Sequence, residues 1–412
     1  MTPAEGAMVA LEDRASVPAT IALVTAFDGT CPEPDELRAR VLERWLPLPA
    51  LHRRVRLGRD GRPVRPYAWA PAAGAQDEVA GQVRLLDPVA DPAGHVAGLL
   101  GRPLPPGGPL WGLDLLPDPG AERFTLVLRT HHALLDGTSV STLTRLLSDD
   151  PAAEAPPGAA LSPVPDGVAA RAGAALGALR GLVPPARPRP YNRPVDTTRA
   201  IARATVPAAA VDAARDALPR GRATVNDVFL AAVAGALRHE LPSGNVHTLV
   251  PVSMRGPGEA ALLGNAVAAV RAPLPVSLTT PAARLRAVHT AMSRAKRQRW
   301  AAGFSGTTGA LAVVAPGTAG TLTGRLLGVP ALWNLLCSAI RLSDRPLALA
   351  GRPMREAYVL TCLPPRMGFV YVLTRYHDTY TLGLTGDGAH GPRLDGLARA
   401  AREEITSLAA RT

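Results

Sequence analysis

The chain has 412 residues, of which 47% are hydrophobic and 19% are charged, a balance typical of a folded globular protein. This length exceeds the roughly 100 to 200 residues of one ordinary domain, so we expect two domains. The formal net charge is +11, but the basic residues are spread along the chain and aromatic residues make up only 4%. A nucleic-acid surface would combine a basic run with aromatic side chains, so we predict no nucleic-acid partner. A nucleotide-bearing co-substrate or an anionic membrane remains compatible with the charge.

The cysteines, the N-terminal stretch and the longest uncharged segment indicate the cellular compartment. Three cysteines are present, none in a CxxC pair: Cys31, Cys337 and Cys362. They predict neither a disulfide framework nor a zinc site. The N-terminal stretch MTPAEGAMVALEDR is acidic and lacks the pattern of a secretory signal. The uncharged segment Ala301 to Gly324 is broken by a proline, which indicates a buried or lipid-facing segment and not a membrane span. We expect a cytoplasmic protein, with peripheral contact to the inner face of the membrane as an option.

The first half alternates strand and helix patterns. Strands are predicted at Thr20 to Phe27, Gly81 to Asp87 and Arg123 to Thr130, and a helix is predicted at Pro34 to Leu46. After Gly137 the run TSVSTLTRLL predicts a second helix, with Thr138 or Ser139 as its N-cap. The adjacent histidines His131 and His132 therefore lie on a turn from a strand to a helix.

A shift in composition separates the two halves. From about Asp149 to Pro194 the chain is rich in Pro, Ala and Gly, with one short helix pattern at Ala172 to Leu182. We predict a first half at 1–150, a linker at 151–198 and a second half at 199–412.

The second half begins at Arg199 to Pro207 and contains several strong patterns. They predict helices at Ala223 to Leu241, Pro281 to Trp300 and Arg393 to Ala410, a strand at Val246 to Arg255, and a hairpin from Met367 to Tyr376 and Asp378 to Asp387. Both halves thus predict an α/β fold.

The two histidines admit three interpretations: structural side chains, a general base with a neighbour, or metal ligands. Adjacent residues on an extended backbone point to opposite sides, so at most one of His131 and His132 faces any given site. Metal ligands are the least favoured, because no further ligand lies at helical spacing. Asp136 and Gly137 favour a base, since a tight turn anchored by a carboxylate would hold an imidazole in place.

The chain offers no nucleophile to accompany such a base. No GxSxG elbow and no reactive-looking cysteine is present. A base acting alone is typical of direct transfer, in which it takes a proton from a bound hydroxyl or amine that attacks an activated carbonyl.

A set of motifs in a fixed order resembles one family. HHALLDG matches the HHxxxDG signature of the superfamily that includes chloramphenicol acetyltransferase and nonribosomal peptide condensation domains. Within it, the chain resembles the bacterial wax ester synthase/diacylglycerol acyltransferases most. The supporting motifs are PLWGLDLL (Pro109 to Leu116), TVNDVFLAAVAGALR (Thr224 to Arg238), VPVSMR (Val250 to Arg255), LGN (Leu263 to Asn265) and RPLALAG (Arg345 to Gly351). The resemblance runs from about Ala19 to Leu408.

The resemblance implies two chloramphenicol-acetyltransferase-like α/β sandwich halves with a crossover linker and a tunnel at their interface. It implies an O-acyltransferase that moves a fatty acyl group from acyl-CoA, a co-substrate, to a long-chain alcohol or diacylglycerol. His132 would be the base, Asp136 structural, Gly137 would keep the loop open and His131 would support the turn. We expect no metal and no other cofactor, a monomer or weak dimer, and membrane or lipid-droplet contact as an option.

Five further residues have both a structural and a functional interpretation. Ser253 and Asn265 are candidate donors to the oxyanion, Asn226 and Asp227 either cap a helix or shape the tunnel, and Trp111 is either a packing anchor or part of the substrate site. By resemblance we also consider an ion pair between Arg255 and Asp136, since the superfamily's aspartate often has an arginine partner.

One motif departs from the family. Where these enzymes typically have SNVPGP, the chain has SAIRLS, so Ala339, Arg341 and Leu342 replace Asn, Pro and Gly in what we interpret as a loop. This makes a second function a serious alternative: an acyltransferase of specialised metabolism that acylates a hydroxyl or amine of a natural product, with a carrier protein as a further donor option. A non-catalytic lipid-binding protein is the third hypothesis, which the intact HHxxxDG motif disfavours.

Overall fold

In a computed structural model, the described residues are 1–70, 75–89, 91–118, 120, 122–153, 185–241, 243–256, 258–259, 261–298 and 317–410. Two six-stranded sheets carry the fold. The predicted short helix at 172–182, most of the linker and residues 301–316 lie outside the described residues.

The first sheet takes strands from both ends of the chain. In spatial order it contains β11 (Ala348–Leu349), β12 (Arg352–Leu360), β1 (Thr20–Asp28), β6 (Arg123–His131), β5 (Trp111–Pro117) and β4 (Val83–Leu85). β1 lies between β12 and β6 and is antiparallel to both. Residues 348–360 therefore complete a sheet whose other strands come from the first half, an exchange that a boundary at 198/199 does not describe. The division into halves stays a prediction.

The second sheet belongs to the second half. In spatial order it contains β7 (Arg199–Pro207), β14 (Thr379–Asp387), β13 (Phe369–Tyr376), β10 (Leu335–Ser343), β8 (Val246–Ser253) and β9 (Val267–Leu274). β13 and β14 form the predicted hairpin. A small ribbon of β2 (Arg54–Val55) and β3 (Trp69–Ala70) stands apart from both sheets.

Helices cover the sheets. They are α1 (Pro3–Ala15), α2 (Pro34–Trp45), α3 (Gln76–Ala80), α4 (Pro92–Leu100), α5 (Gly137–Leu147), α6 (Ala208–Arg215), α7 (Val225–Arg238), α8 (Pro281–Arg297), α9 (Ala319–Leu327) and α10 (Gly391–Ala409). The α/β prediction is confirmed, and the helices and strands predicted within the described residues are present with ends shifted by a few residues. The interpretation of SAIRLS as a loop is wrong, because these residues belong to β10.

An opening in the second sheet sets the position of the site. β10 pairs with β8 only through Leu335 and Leu336, while its remaining residues pair with β13 on the other side. β8 stays paired with β9 up to Ser253. The two strands therefore diverge after two paired positions and leave a gap between them.

Two short helices close over this region. α1 begins with a capping box in which Thr2 and Glu5 satisfy each other's main-chain N–H groups. It packs against α9 through glycines: a Cβ at Gly320 would lie only 2.9 Å from the main-chain carbonyl carbon of Gly6. Without side chains at these positions the two helices approach each other closely and form one cover.

Candidate active site

The two histidines lie where β6 ends, and main-chain hydrogen bonds hold the strand end on both sides. The His131 N–H donates to the Leu110 carbonyl (2.9 Å), and the His132 N–H donates to the Ala19 carbonyl (2.7 Å). Because neighbouring side chains on an extended backbone point to opposite sides, the imidazoles diverge. His132 lines a cavity, and His131 is not among the described residues that line it.

His131 is a buried part of the turn. Its Nδ1 accepts a hydrogen bond from the Ala133 N–H (3.0 Å), and its Nε2 lies 3.6 Å from Glu12 Oε2 on α1. Burial lowers the pKa of His131 to about 3, with the neighbouring His132 a smaller cause. A neutral imidazole with an accepting Nδ1 carries its proton on Nε2, toward Glu12. These contacts place His131 inside the turn and away from the cavity.

The ring of His132 stands beside Asn265. Asn265 Nδ2 donates to the His132 carbonyl (2.7 Å) and lies 3.5 Å from the ring Nδ1. Burial lowers the pKa of His132 below 6.5, while a hydrogen bond to its own main-chain carbonyl and the charge of Asp136 oppose this shift. A lowered pKa favours the neutral ring, which is the form that accepts a proton.

If His132 is the base, its lowered pKa sets the acid side of the pH profile. The base works unprotonated, so kcat/KM should stay high as pH falls to 6.5 and decline only at lower pH, through the pKa of the free enzyme. Product formation followed by mass spectrometry across pH 5 to 8 measures this midpoint. A midpoint above 6.5 would contradict the lowered pKa of His132 as the source of the acid limb.

Asp136 is the N-cap of α5, so the expectation of Thr138 or Ser139 is wrong. Its carboxylate accepts from the Ser139 N–H (2.9 Å) and the Ala266 N–H (3.0 Å). Arg255 adds two more bonds, from Nη1 (2.6 Å) and Nη2 (3.0 Å). With four donors on two buried oxygens, Asp136 is fully engaged in holding the turn.

Arg255 ties the histidine turn to the second half, and the considered pair with Asp136 is confirmed. Its Nη2 also lies within hydrogen-bond distance of Ser139 Oγ (2.9 Å) and of the carbonyls of Leu262 (3.2 Å) and Gly264 (3.3 Å). The guanidinium is almost wholly buried, with 4% of the side chain exposed. It therefore joins two chain segments that are far apart in sequence.

The glycine at position 137 is explained by close packing. A Cβ at this position would lie 2.5 Å from Cδ1 of Ile340 on β10 and 2.9 Å from its Cγ1. The missing side chain lets β10 pack against the first turn of α5.

We expect Gly137→Ala to lower the free energy of unfolding by about 1 to 3 kcal/mol, the usual cost of overpacking. Ile340→Val removes the nearest atom, so the double variant should lose less than the sum of the single losses. Urea denaturation of the three variants measures this coupling. Strictly additive losses would show that the contact is not the cause.

The cavity is mostly apolar. Its walls come from α1, α9, the start of α5 and both sheets, and they include Ala4, Ala7, Met8, Leu11, Ile21, Leu249, Leu327, Leu336, Val359 and Val372. Of the predicted site residues, His132, Asp136, Gly137, Ser253 and Asn265 line it. It brings one ionisable ring together with a long apolar surface.

Two sequence-family models match the chain. The model of the wax ester synthase/diacylglycerol acyltransferase catalytic domain matches residues 89–187, and that of the WS/DGAT C-terminal domain matches residues 263–409. Together they span more than half of the chain. The chain belongs to the wax ester synthase/diacylglycerol acyltransferase family. It is an O-acyltransferase of this type.

Relatives and solved structures agree with this family. A Mycobacterium tuberculosis protein named as a diacylglycerol O-acyltransferase is 29% identical over 355 residues, covering 76% of this chain and 78% of the relative. The wax ester synthase/diacylglycerol acyltransferase from Marinobacter aquaeolei VT8 superposes with a TM-score of 0.66 at 22% identity, covering 99% of this chain and 98% of that one. The first condensation domain of the calcium-dependent antibiotic synthetase gives 0.68 at 19% identity, with 100% and 96% coverage. These structures show the shared two-lobe fold.

The structure places three predicted residues of this acyltransferase outside the described cavity lining. Trp111 is buried, donates from Nε1 to the Leu51 carbonyl (3.1 Å) and stacks edge-on against Trp45. Asp227 forms a capping box with Thr224 at the start of α7 and contacts His289 Nδ1 (2.9 Å). Asn226, on the same turn, is likewise absent from the described lining. Packing and capping explain Trp111 and Asp227.

Sequence reasoning missed the contribution of α1 and of the end of β12. Ala4, Ala7, Met8 and Leu11 of α1 line the cavity, as do Thr361 and Cys362 just after β12. The helix was detectable, since Thr2, a proline and Glu5 form an N-terminal capping pattern. The family resemblance began only at Ala19, so it gave no reason to examine the preceding residues.

Two further findings concern metals and membranes. Within the described part of the chain, no three His, Cys, Asp or Glu side chains converge as a metal site requires. None of the described helices combines the length and apolar character needed to cross a membrane.

Proposed function

We propose that this acyltransferase moves a fatty acyl group from a CoA thioester to the hydroxyl of a long-chain alcohol or diacylglycerol, with His132 as general base. The observation that carries the proposal is the position of the His132 ring on the wall of a mostly apolar cavity, where the nearby Asp136 carboxylate is already saturated by four hydrogen-bond donors. Apolar walls suit acyl and alkyl chains.

The chemistry follows from this arrangement. The ring nitrogen that faces the cavity takes the hydroxyl proton as the alcohol oxygen bonds to the thioester carbon. The tetrahedral intermediate then collapses, the carbon–sulfur bond breaks, and the protonated ring returns its proton to the departing thiolate. The products are an ester and free CoA.

The roles of Asn265 and Ser253 divide in this proposal. Asn265 Nδ2 already donates to the His132 carbonyl, so Asn265 is a positioning residue for the base. Ser253 lines the cavity and is exposed, and it remains our candidate donor to the oxyanion.

The test combines a donor panel with an acceptor panel. Purified enzyme is incubated with palmitoyl-CoA and hexadecanol, a diacylglycerol, or an alkylamine, and released thiol and product mass are measured. We expect ester formation with the alcohol or the diacylglycerol. Product with the amine alone would favour the specialised-metabolism alternative, and thiol release equal to the no-acceptor control with all three would reject both.

We also propose peripheral membrane contact through α9. Leu322 and Leu326 of this helix have 37% and 40% of their surface exposed. The adjacent residues Thr323 and Leu327 line the cavity. A helix with this arrangement would bring the cavity next to the lipid phase. The cytoplasmic location and the monomeric or weakly dimeric state remain predictions.

A further inference from the structure

The cavity reaches both faces of the second sheet at the gap between β8 and β10. Cys337 packs in the core on one face of β10, and Ile340 packs against the core of the first half on the other. Alternate residues of a strand face opposite sides, yet Ser338, Ala339 and Ile340 all line the cavity. A cavity can contact residues on both faces of one strand only where an edge of that strand is unpaired. β10 has such an edge because β8 diverges from it after Leu336.

The far side of the gap opens to solvent beside an arginine. Ala339 lines the cavity and is also exposed. Arg341 lies two residues further on the same face of β10, about 7 Å along the strand. Its side chain is 69% exposed. Arg341 therefore stands at the rim of this opening.

Two more arginines lie close to Arg341: Arg375 is on the neighbouring strand β13, and Arg345 is four residues further along the chain. We call Arg341, Arg345 and Arg375 the basic rim. Arg341 and Arg375 are register partners on neighbouring strands and share one carboxylate, Asp344, at Nε–Oδ1 distances of 2.9 and 3.1 Å. Arg345 is 67% exposed and lies 3.9 Å from Asp150. Asp150 is also bonded by Arg145 (3.1 Å), so the arginines outnumber the two carboxylates and the rim keeps excess positive charge and unused donors.

Inside the cavity, an acceptor lacks a partner. Asn265 is 6% exposed and lines the cavity, and its Oδ1 has no hydrogen-bond partner among the described residues. The donation from Nδ2 to the His132 carbonyl fixes which end of the amide this is. A buried acceptor of this kind that faces a cavity can accept a hydrogen bond from a ligand donor such as an amide N–H.

We propose that the basic rim binds the phosphate of a phosphopantetheine thioester, whose pantetheine arm passes through the gap between β8 and β10. This rests on the proposed function. The arm carries amide N–H groups, which match Asn265 Oδ1, and it ends in a phosphate, which matches the arginines. A fatty alcohol or a diacylglycerol has neither group. The opening at Arg341 is thus the donor entrance, and the acceptor reaches His132 from the apolar side.

Phosphate binding at this rim accounts for the departure from the SNVPGP pattern. Arg341 occupies the position of the motif's first proline, so the substitution adds a phosphate-binding side chain at the entrance. CoA and an acylated carrier protein both contain phosphopantetheine, and the experiment separates these two sources.

The experiment compares three donors with one acyl chain: octanoyl-CoA, octanoyl-pantetheine, which has no phosphate, and an octanoylated carrier protein. Arg341→Glu should raise KM for octanoyl-CoA about tenfold, with kcat within about twofold. KM for octanoyl-pantetheine should stay unchanged. Arg220→Glu, at an exposed position outside the rim, is the matched control and should leave every KM unchanged.

Asp344→Asn tests the same site in the opposite direction. It removes the carboxylate that competes with phosphate for Arg341 and Arg375, so KM for octanoyl-CoA should fall about threefold or more. In Arg341→Glu, a rise in KM for the carrier-protein donor as well as for CoA supports binding of the shared phosphopantetheine phosphate. A rise for CoA alone would overturn it, because the rim would then bind the nucleotide phosphates that the carrier-protein donor lacks.

Equal KM changes for the phosphorylated and phosphate-free donors would overturn the inference, and so would no change for any donor. Failure of the proposed function is distinguishable, because the wild-type enzyme would then release no thiol above background from any of the three donors.

Discussion

His132→Ala is expected to lower kcat/KM by about 10² to 10⁴, the usual worth of a general base. The ring lines the cavity, whereas the turn is held by main-chain bonds that the variant keeps, including the bond from the His132 N–H to the Ala19 carbonyl. Activity should therefore fall while the thermal midpoint changes little. Thiol release with palmitoyl-CoA and the accepted alcohol measures the first, and thermal unfolding the second.

Two controls sharpen this result. His239→Ala removes an exposed histidine at the end of α7 and should leave the rate unchanged. His131→Ala should mainly lower stability, because it leaves a buried gap and removes the acceptor of the Ala133 N–H. If His132→Ala kept more than about a tenth of the wild-type rate, general-base catalysis by this residue would be wrong.

Asp136→Ala is expected to lower the free energy of unfolding by about 3 to 5 kcal/mol. The change leaves the buried Arg255 charge without its carboxylate and removes the N-cap of α5. Urea denaturation measures the loss, and kcat/KM should fall with it because the turn that carries His132 loses its anchor.

An exposed ion pair provides the comparison. Arg38 and Asp35 lie 2.8 Å apart on α2, with 91% of the Asp35 side chain exposed, so Asp35→Ala should cost less than about 1 kcal/mol. In the site pair, adding Arg255→Met to Asp136→Ala should recover part of the loss by removing the unpaired charge. An Asp136→Ala loss as small as that of Asp35→Ala would show that the buried pair does not hold the turn.

The position of the histidine turn could be predicted because it depends on local patterns. Alternating apolar residues in β6, the helical spacing after Gly137 and the opposite directions of adjacent side chains place one imidazole toward a site. The motif order identified the family. The N-cap was predicted at Thr138 or Ser139, two or three residues beyond the observed Asp136, since several short polar side chains close together are equally suited to capping by sequence alone.

Membership of a family motif did not show which residues line the cavity. Trp111 and Asp227 belong to motifs that the chain shares with its family, yet the structure engages them in packing and capping away from the described cavity lining. The sequence could not distinguish a structural role from a role in the site, because the identity of a residue does not show how far it lies from the cavity.

By itself the sequence determined the α/β class, the family and the turn that carries His132 and Asp136, because each depends on residues that are close together in the chain. Only the tertiary structure decided that α1 walls the cavity, that Arg255 neutralises Asp136, that residues 348–360 complete the first sheet, and that β8 and β10 diverge beside Arg341. The reason is physical: these contacts join segments more than a hundred residues apart or depend on where strand pairing stops, and neither is encoded in a local pattern.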